Sequence, residues 1–273
     1  MTDTHCHPWD LLEYQKDAED VRRETGTAIA ASSWNREQFE YHEGLSKKAL
    51  EDGAPRLIRC FALHPQLAPS FMEKAGDELF SLSQGIELLF SLCAGKRPDA
   101  LGETGFDLYS ERYKAAEKIQ DEMFALHLEC ALKYDLPMVL HLRRAMHKIF
   151  PFTKELKKLP AVIFHSWPGT CGEGEALLRR GVNAFFSFGA TVAKNHKEAI
   201  NSAARFPPER ILLETDAPYQ PLKGKSFSSW RDLDEICSCI AALRKEAGSP
   251  CDTQEELKEI TTANFFRAFC GDM

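Results

Sequence analysis

The chain has 273 residues, 44% hydrophobic and 27% charged, which is enough apolar material for one sizeable core at the length of a single α/β barrel. A net charge of −7 excludes a protein that coats nucleic acid by bulk charge, and without a run of about 18 apolar residues a membrane span is excluded too. The opening MTDTHCHPWD has no basic or apolar leader pattern, so a cytoplasmic protein with reduced, mostly buried thiols is expected, and Cys237-Ser238-Cys239 lacks the spacing of a structural zinc site.

Short apolar or β-branched runs alternate with longer amphipathic segments. Strands are expected at 1–5, 27–32, 56–63, 100–104, 138–141, 161–165, 184–188 and 211–214. Helices are expected around 10–24, 36–52, 70–92, 111–135, 143–158, 173–180, 193–205 and 230–247. The 111–135 segment is the clearest, with apolar residues recurring at three and four spacings and no Gly or Pro inside it. Pro137 and Gly181 fall where helices should stop. Eight strand–helix units without a composition break argue for one (β/α)8 TIM barrel domain over 1–273, followed by an extra C-terminal helix at 253–269. An open doubly wound sheet would call for a glycine-rich phosphate loop after the first strand, and HCHPWD stands there instead. The longest linker, 217–229, follows the eighth strand, on the side where barrel loops carry function.

In Asp3-Thr4-His5-Cys6-His7 the side chains alternate, so both imidazoles point to one face, with Asp3 beside them as an outer holder of a ring N–H. By itself such a pair is a weak signal. Four more costly side chains end or follow other apolar runs: Glu103, His141, His165 and Asp216. Parallel barrel strands discharge their C-terminal ends onto one rim, so these six residues would converge on one pocket. Arg143, Arg144, Lys148, Lys154, Lys157 and Lys158 form one cationic cluster, and Lys223, Lys225 and Arg231 a second. Either is a solvated face or a local rim for a phosphate chain.

The motifs DTHCHP, GETGFD, VLHLR, FHSWPG and LLETDAPY, in this order, resemble the motif series of the TatD family of metal-dependent deoxyribonucleases in the amidohydrolase superfamily. Phe61-Ala62-Leu63-His64-Pro65 is similar to the family's GxHP segment, and Gln120 and Thr262-Ala263-Asn264 also fit, so the resemblance covers nearly the whole chain. It implies a dinuclear site, one metal held by His5, His7 and Asp216 and the other by His141 and His165, with Glu103 bridging and His64 close to the substrate phosphate. The chain departs from the family at Gly224-Lys225-Ser226-Phe227-Ser228, at Trp167-Pro168 and in its short first strand; these positions bear on substrate preference.

Two divalent ions about 3.5–4 Å apart can bind a phosphodiester oxygen and acidify a shared water. Asp216 is the expected proton acceptor and Glu103 the bridge, with His64, Arg143 and Lys223 around the phosphate. Trp167, Tyr219 and Phe106 adjoin the motifs and offer faces for base stacking, with core packing preferred for Phe106. The donor set suits Zn or Mn, and the resemblance adds Mg. The resemblance implies hydrolysis of DNA from single-stranded 3′ ends, with endonucleolytic cutting at damaged sites as an additional mode. The alternative is a related hydrolase acting on an ester, amide or phosphotriester. A polymerase-associated phosphoesterase would bring ligands for a third metal and lack the ETDAP ending, and a non-catalytic barrel would have lost some of the six residues.

Overall fold

The computed structural model describes residues 1–72, 81–194 and 196–271. Eight parallel strands follow one another around a nearly closed barrel: β1 (Thr2–Cys6), β2 (Ala28–Ser33), β3 (Leu57–Phe61), β4 (Ala100–Asp107), β5 (Met138–Arg143), β6 (Val162–Phe164), β7 (Ala184–Phe188) and β8 (Ile211–Leu213). Helices on the outside include α1 (Arg36–Glu51), α2 (Leu82–Ala94), α3 (Glu117–Tyr134), α4 (Cys171–Arg179), α5 (Lys197–Arg205) and α6 (Leu233–Glu246), and α7 (Gln254–Cys270) ends the fold.

The strand period of two sorts the side chains into two layers. Ala30, Ile58, Cys60, Val139, Ile163, Phe185 and Leu212 fill the barrel. Their neighbours Phe61, Leu140, Phe164, Phe186 and Leu213 point outward, into a second core with Leu89, Phe124, Leu177, Ile236 and Ile240 from the helices. Phe265, Ala268 and Phe269 of α7 join the inner layer. The Asn264 amide donates to the carbonyl of Ile211, where β8 begins, at 2.8 Å. The C-terminal helix therefore covers the end of the barrel where the strands start.

The other end is closed by the backbone beyond β8. Asp216 N–H donates to His5 O at 3.0 Å and His7 N–H to Ala217 O at 2.7 Å. The buried Asp3 carboxylate accepts the N–H and hydroxyl of Thr215, at 2.9 and 2.5 Å. Regular pairing is also interrupted between Asp3 and Cys6 in β1 and between Leu101 and Thr104 in β4. Such irregularities re-aim side chains, and these two flank His5 and Glu103.

Several helices differ from the periodicity. The 143–158 stretch is two 3-10 turns, Met146–Lys148 and Phe150–Phe152, and a single helical turn, Thr153–Leu156. Pro151 withholds a donor there, and Arg144 has φ +56, so a continuous helix cannot form. Segment 10–24 splits into Pro8–Leu11 and Ala18–Glu24, and 111–135 breaks at Ala116 into Glu111–Ala115 and α3. Of the expected 70–92 helix, α2 begins at a capping box formed by Ser81 and Gln84. Residues 73–80 lie outside the described residues.

Candidate metal centre

His141, His165 and Glu214 lie two residues beyond Val139, Ile163 and Leu212, on the same inward parity, one layer above the apolar filling. Asp216 continues that parity past β8, and Glu103 occupies the interrupted stretch of β4. Glycines on both sides of Glu103 bring β4 against β5: a Cβ on Gly102 would sit 2.5 Å from Val139 Cβ. One on Gly105, at φ +134, would sit 2.2 Å from His141 O.

All six residues expected as ligands meet. His5 Nε2 is 3.0 Å from Glu103 Oε2 and 3.7 Å from Asp216 Oδ1. His7 Nε2 is 3.2 Å from His5 Nε2 and 3.4 Å from Asp216 Oδ1. His165 Nε2 is 3.6 Å from Glu103 Oε1 and 3.8 Å from Asp216 Oδ2, while His141 Nδ1 is 2.5 Å from Glu103 Oε1. Three sets of donors each lie within 4.8 Å of one another: His5, His7 and Asp216; His5, Glu103 and His165; His64, Glu103 and His141. This grouping differs from the expected one, since His165 goes with His5, and His64 joins His141.

These donors fit a divalent cation. Metal bonds of about 2.0–2.2 Å in a tetrahedron separate ligand atoms by roughly 3.3–3.6 Å, close to the spacings here. The local field agrees. Burial opposes a charge on His165, yet the carboxylates of Glu214, Glu103 and Asp216 outweigh it and raise its pKa to about 10. His141 is raised to about 9 against burial, by Glu103 and Asp107. Burial would raise the Glu103 pKa, but the imidazoles of His64, His5, His141 and His165 hold it well below the usual carboxylate range. For Asp216, His165, His7 and His5 likewise overcome burial and lower the pKa.

The outer nitrogens of the rings are held from behind, as in metal sites generally. His165 Nδ1 meets Glu214 Oε2 at 3.1 Å, His5 Nδ1 meets Ser32 Oγ at 3.2 Å, and Asp107 Oδ2 lies 3.4 Å from His141 Nε2. Gln220 Nε2 donates to Asp216 Oδ2 at 2.7 Å, and Gln120 accepts the N–H of Asp107 at 2.8 Å. Sequence reading missed Glu214, Ser32, Asp107 and Gln220. Only Glu214 announced itself, sharing parity with Leu212 and Asp216. Asp3 does not hold an imidazole: it accepts the backbone N–H of His5 at 3.2 Å as well as both Thr215 donors. Burial, the largest influence on Asp3, raises its pKa to about 7 against these donors.

The centre opens into a cavity of about 1060 Å³. Arg143 lines it, with its guanidinium carbon 3.7 Å from the Tyr109 ring centroid. His64 also lines it, its Nε2 3.3 Å from Glu103 Oε1 and its Nδ1 accepting the N–H of Gln66. Lys223 is exposed and outside the lining. Trp167 corrects an expectation. It is 2% exposed, packs against Phe164, Phe186 and Phe206, and donates its indole N–H to Ser202 Oγ. It borders the cavity, but so little of it is exposed that it offers no free face to a base. Phe106 is buried against Phe124, and Tyr219 is 47% exposed at the mouth.

A parallel barrel whose strand ends gather four imidazoles and two carboxylates around shared cation positions belongs to the metal-dependent hydrolases. The family model for TatD related DNase matches residues 2–270, and the chain is a member of that family. It is 28% identical over 260 residues to the metal-dependent hydrolase YjjV of Escherichia coli, covering 89% of this chain and 90% of that one. A protein of Escherichia fergusonii named 3'-5' ssDNA/RNA exonuclease TatD is 28% identical over 134 residues, 49% of this chain and 51% of the other. The crystal structure of E. coli YjjV superposes with a TM-score of 0.79 at 23% identity, covering 98% of this chain and 97% of that chain. A TatD family hydrolase from Entamoeba histolytica gives 0.76 at 16%, covering 100% and 98%. No helix among the described residues is long and apolar enough to cross a membrane.

Proposed function

We propose that the protein is a two-metal deoxyribonuclease that removes nucleotides from the 3′ end of single-stranded DNA. One observation carries this reading. The cluster of imidazoles and carboxylates opens into a nucleotide-sized cavity whose lining includes Arg143 and Arg144 beside the half-exposed Tyr109, a combination suited to phosphates and a base. The relative named as a 3'-5' ssDNA/RNA exonuclease supports the direction.

His5, His7, Asp216, His141 and His165 would hold the cations, with Glu103 between them. Divalent cations held there supply Lewis acidity, polarising a phosphodiester and acidifying water at neutral pH. Asp216 is fixed by Gln220 through Oδ2, which turns Oδ1 towards the imidazoles, and its carboxylate takes the proton of the attacking water. His64 acts as a donor. Its Nδ1 accepts the Gln66 N–H at 3.2 Å, so the neutral ring carries its proton on Nε2, which lies 3.3 Å from Glu103 Oε1 and would turn to a phosphoryl oxygen bound beside that carboxylate. That tautomer sets His64 apart from the ligands, although it stands among them. The water oxygen bonds to phosphorus, the bond to the penultimate O3′ breaks, and that oxygen takes a proton from solvent. A nucleoside 5′-monophosphate leaves.

Metal analysis of the purified protein, followed by digestion of 5′-labelled single- and double-stranded DNA with and without chelator, tests the reading. The expected result is a ladder shortening from the 3′ end of the single strand, abolished by chelator. Intact DNA alongside turnover of an ester, amide or phosphotriester panel would replace it with the other hydrolase activity.

A further inference from the structure

We propose that the barrel mouth is electrically polarised so that a strand end can enter in one direction only, with its retained phosphates on Arg143 and Arg144 and its terminal 3′-hydroxyl on Asp10. The inference rests on the 3′-exonuclease reading above and specifies how that end is recognised.

The placement comes from the strand order. In an eight-stranded ring running β1 to β8, β5 stands opposite β1. Arg143 ends β5 and Arg144 follows it. Among the described residues they are the lysines and arginines that line the cavity, and no carboxylate pairs with either. Both guanidinium groups lie over Tyr109, at 3.7 and 4.6 Å from the ring centroid. The cations beyond β8 are directed elsewhere. Lys225 pairs with Asp232, Arg231 with Glu24, and Lys223 lies outside the lining.

Across the metal centre, just past β1, stands Asp10. Its Oδ1 accepts from Gln38 Nε2 at 3.2 Å and its Oδ2 from the Tyr219 hydroxyl at 3.1 Å. His7 Nδ1 is 3.9 Å away, too far for a hydrogen bond. A carboxylate has about four acceptor positions, so two remain, on a side chain that is 23% exposed and lines the cavity. A terminal hydroxyl finds an acceptor there. A terminal phosphate, with about two negative charges, finds a fixed carboxylate there and, among the described residues, no lysine or arginine lining that side of the cavity. Tyr219, 47% exposed beside His7, offers its ring to the terminal base. Each cut in this frame leaves a new 3′-hydroxyl, so the product strand is again a substrate.

The test compares metal-loaded wild type and Asp10→Asn on one oligonucleotide ended in 3′-hydroxyl or 3′-phosphate. Metal content of both proteins is measured, and so is oligonucleotide binding by fluorescence anisotropy in chelator. Wild type should degrade the hydroxyl end at least about tenfold faster and bind it more tightly. Asp10→Asn should cut the phosphate end faster than wild type does, bringing the ratio to within about threefold. A gain of rate cannot come from misfolding. Equal wild-type rates on both ends, or an unchanged ratio in Asp10→Asn, overturn the proposal; lower metal content in that variant would then leave Asp10 as a support for His7. Hydrolysis of neither end by wild type overturns the nuclease reading together with it.

Discussion

Glu103 contributes to two of the three donor sets and Asp216 to one, although both are buried carboxylates ringed by imidazoles. The difference is measurable. Glu103→Ala should reduce hydrolysis to background and lower metal content at both positions; wild-type turnover in a metal-replete assay would refute the bridging role. Asp216→Asn should lose most activity while retaining at least one equivalent of metal by elemental analysis, because the His5, Glu103 and His165 set does not include it. Arg143 carries a different kind of contribution. If it neutralises one phosphate, Arg143→Ala should weaken single-strand binding. It should also flatten the dependence of log affinity on log salt by about 0.7. A slope equal to that of wild type would place Arg143 outside the strand's path.

At the scale of elements, α3 shows how a helix positions a loop it does not belong to. His127 is fully buried, accepts the N–H of Leu63 on Nε2 at 2.9 Å, and bonds the carbonyl of Met123 through Nδ1. The link fixes the backbone just before His64. Burial lowers the His127 pKa from 6.5 to about 4 against the Met123 bond. In acid the unfolded chain therefore takes up this proton before the folded one. Stability from this group is complete above pH 6.5 and is lost as pH falls towards 4, up to about 3 kcal/mol. Denaturant titrations in chelator at pH 7, 5 and 4 should show a flatter acid limb in His127→Gln, which keeps an acceptor for Leu63. The strands and the six clustered side chains were legible in sequence because apolar runs of one period end in residues too costly to bury unpaired. The partners behind them were not, since Ser32, Asp107 and Gln220 look like any polar residue near a turn until the chain brings them to a ring nitrogen. The amphipathic pattern over 143–158 suggested a helix and hid the effect of Pro151. Trp167 was misplaced because a residue beside a motif can still point into the outer core.

For the molecule as a whole, the two ends of the barrel are sealed by different means. At one end α7 inserts Phe265 and Phe269 beneath the inner layer. Phe265→Ala should cost about 3–5 kcal/mol, read as a lower urea midpoint; a loss below about 1 kcal/mol would mean that the helix merely rests on the barrel. At the other end the seal is Asp3 holding Thr215, a pair separated by 212 positions along the chain. Contacts of such long range form late, because the loop they close must be ordered first. His5 and His7 are synthesised long before Asp216 and the backbone that steadies them, which belong to the segment after β8. A growing chain therefore displays imidazoles without the acid that completes their cation position, so that donor set becomes whole only after the eighth strand has been made.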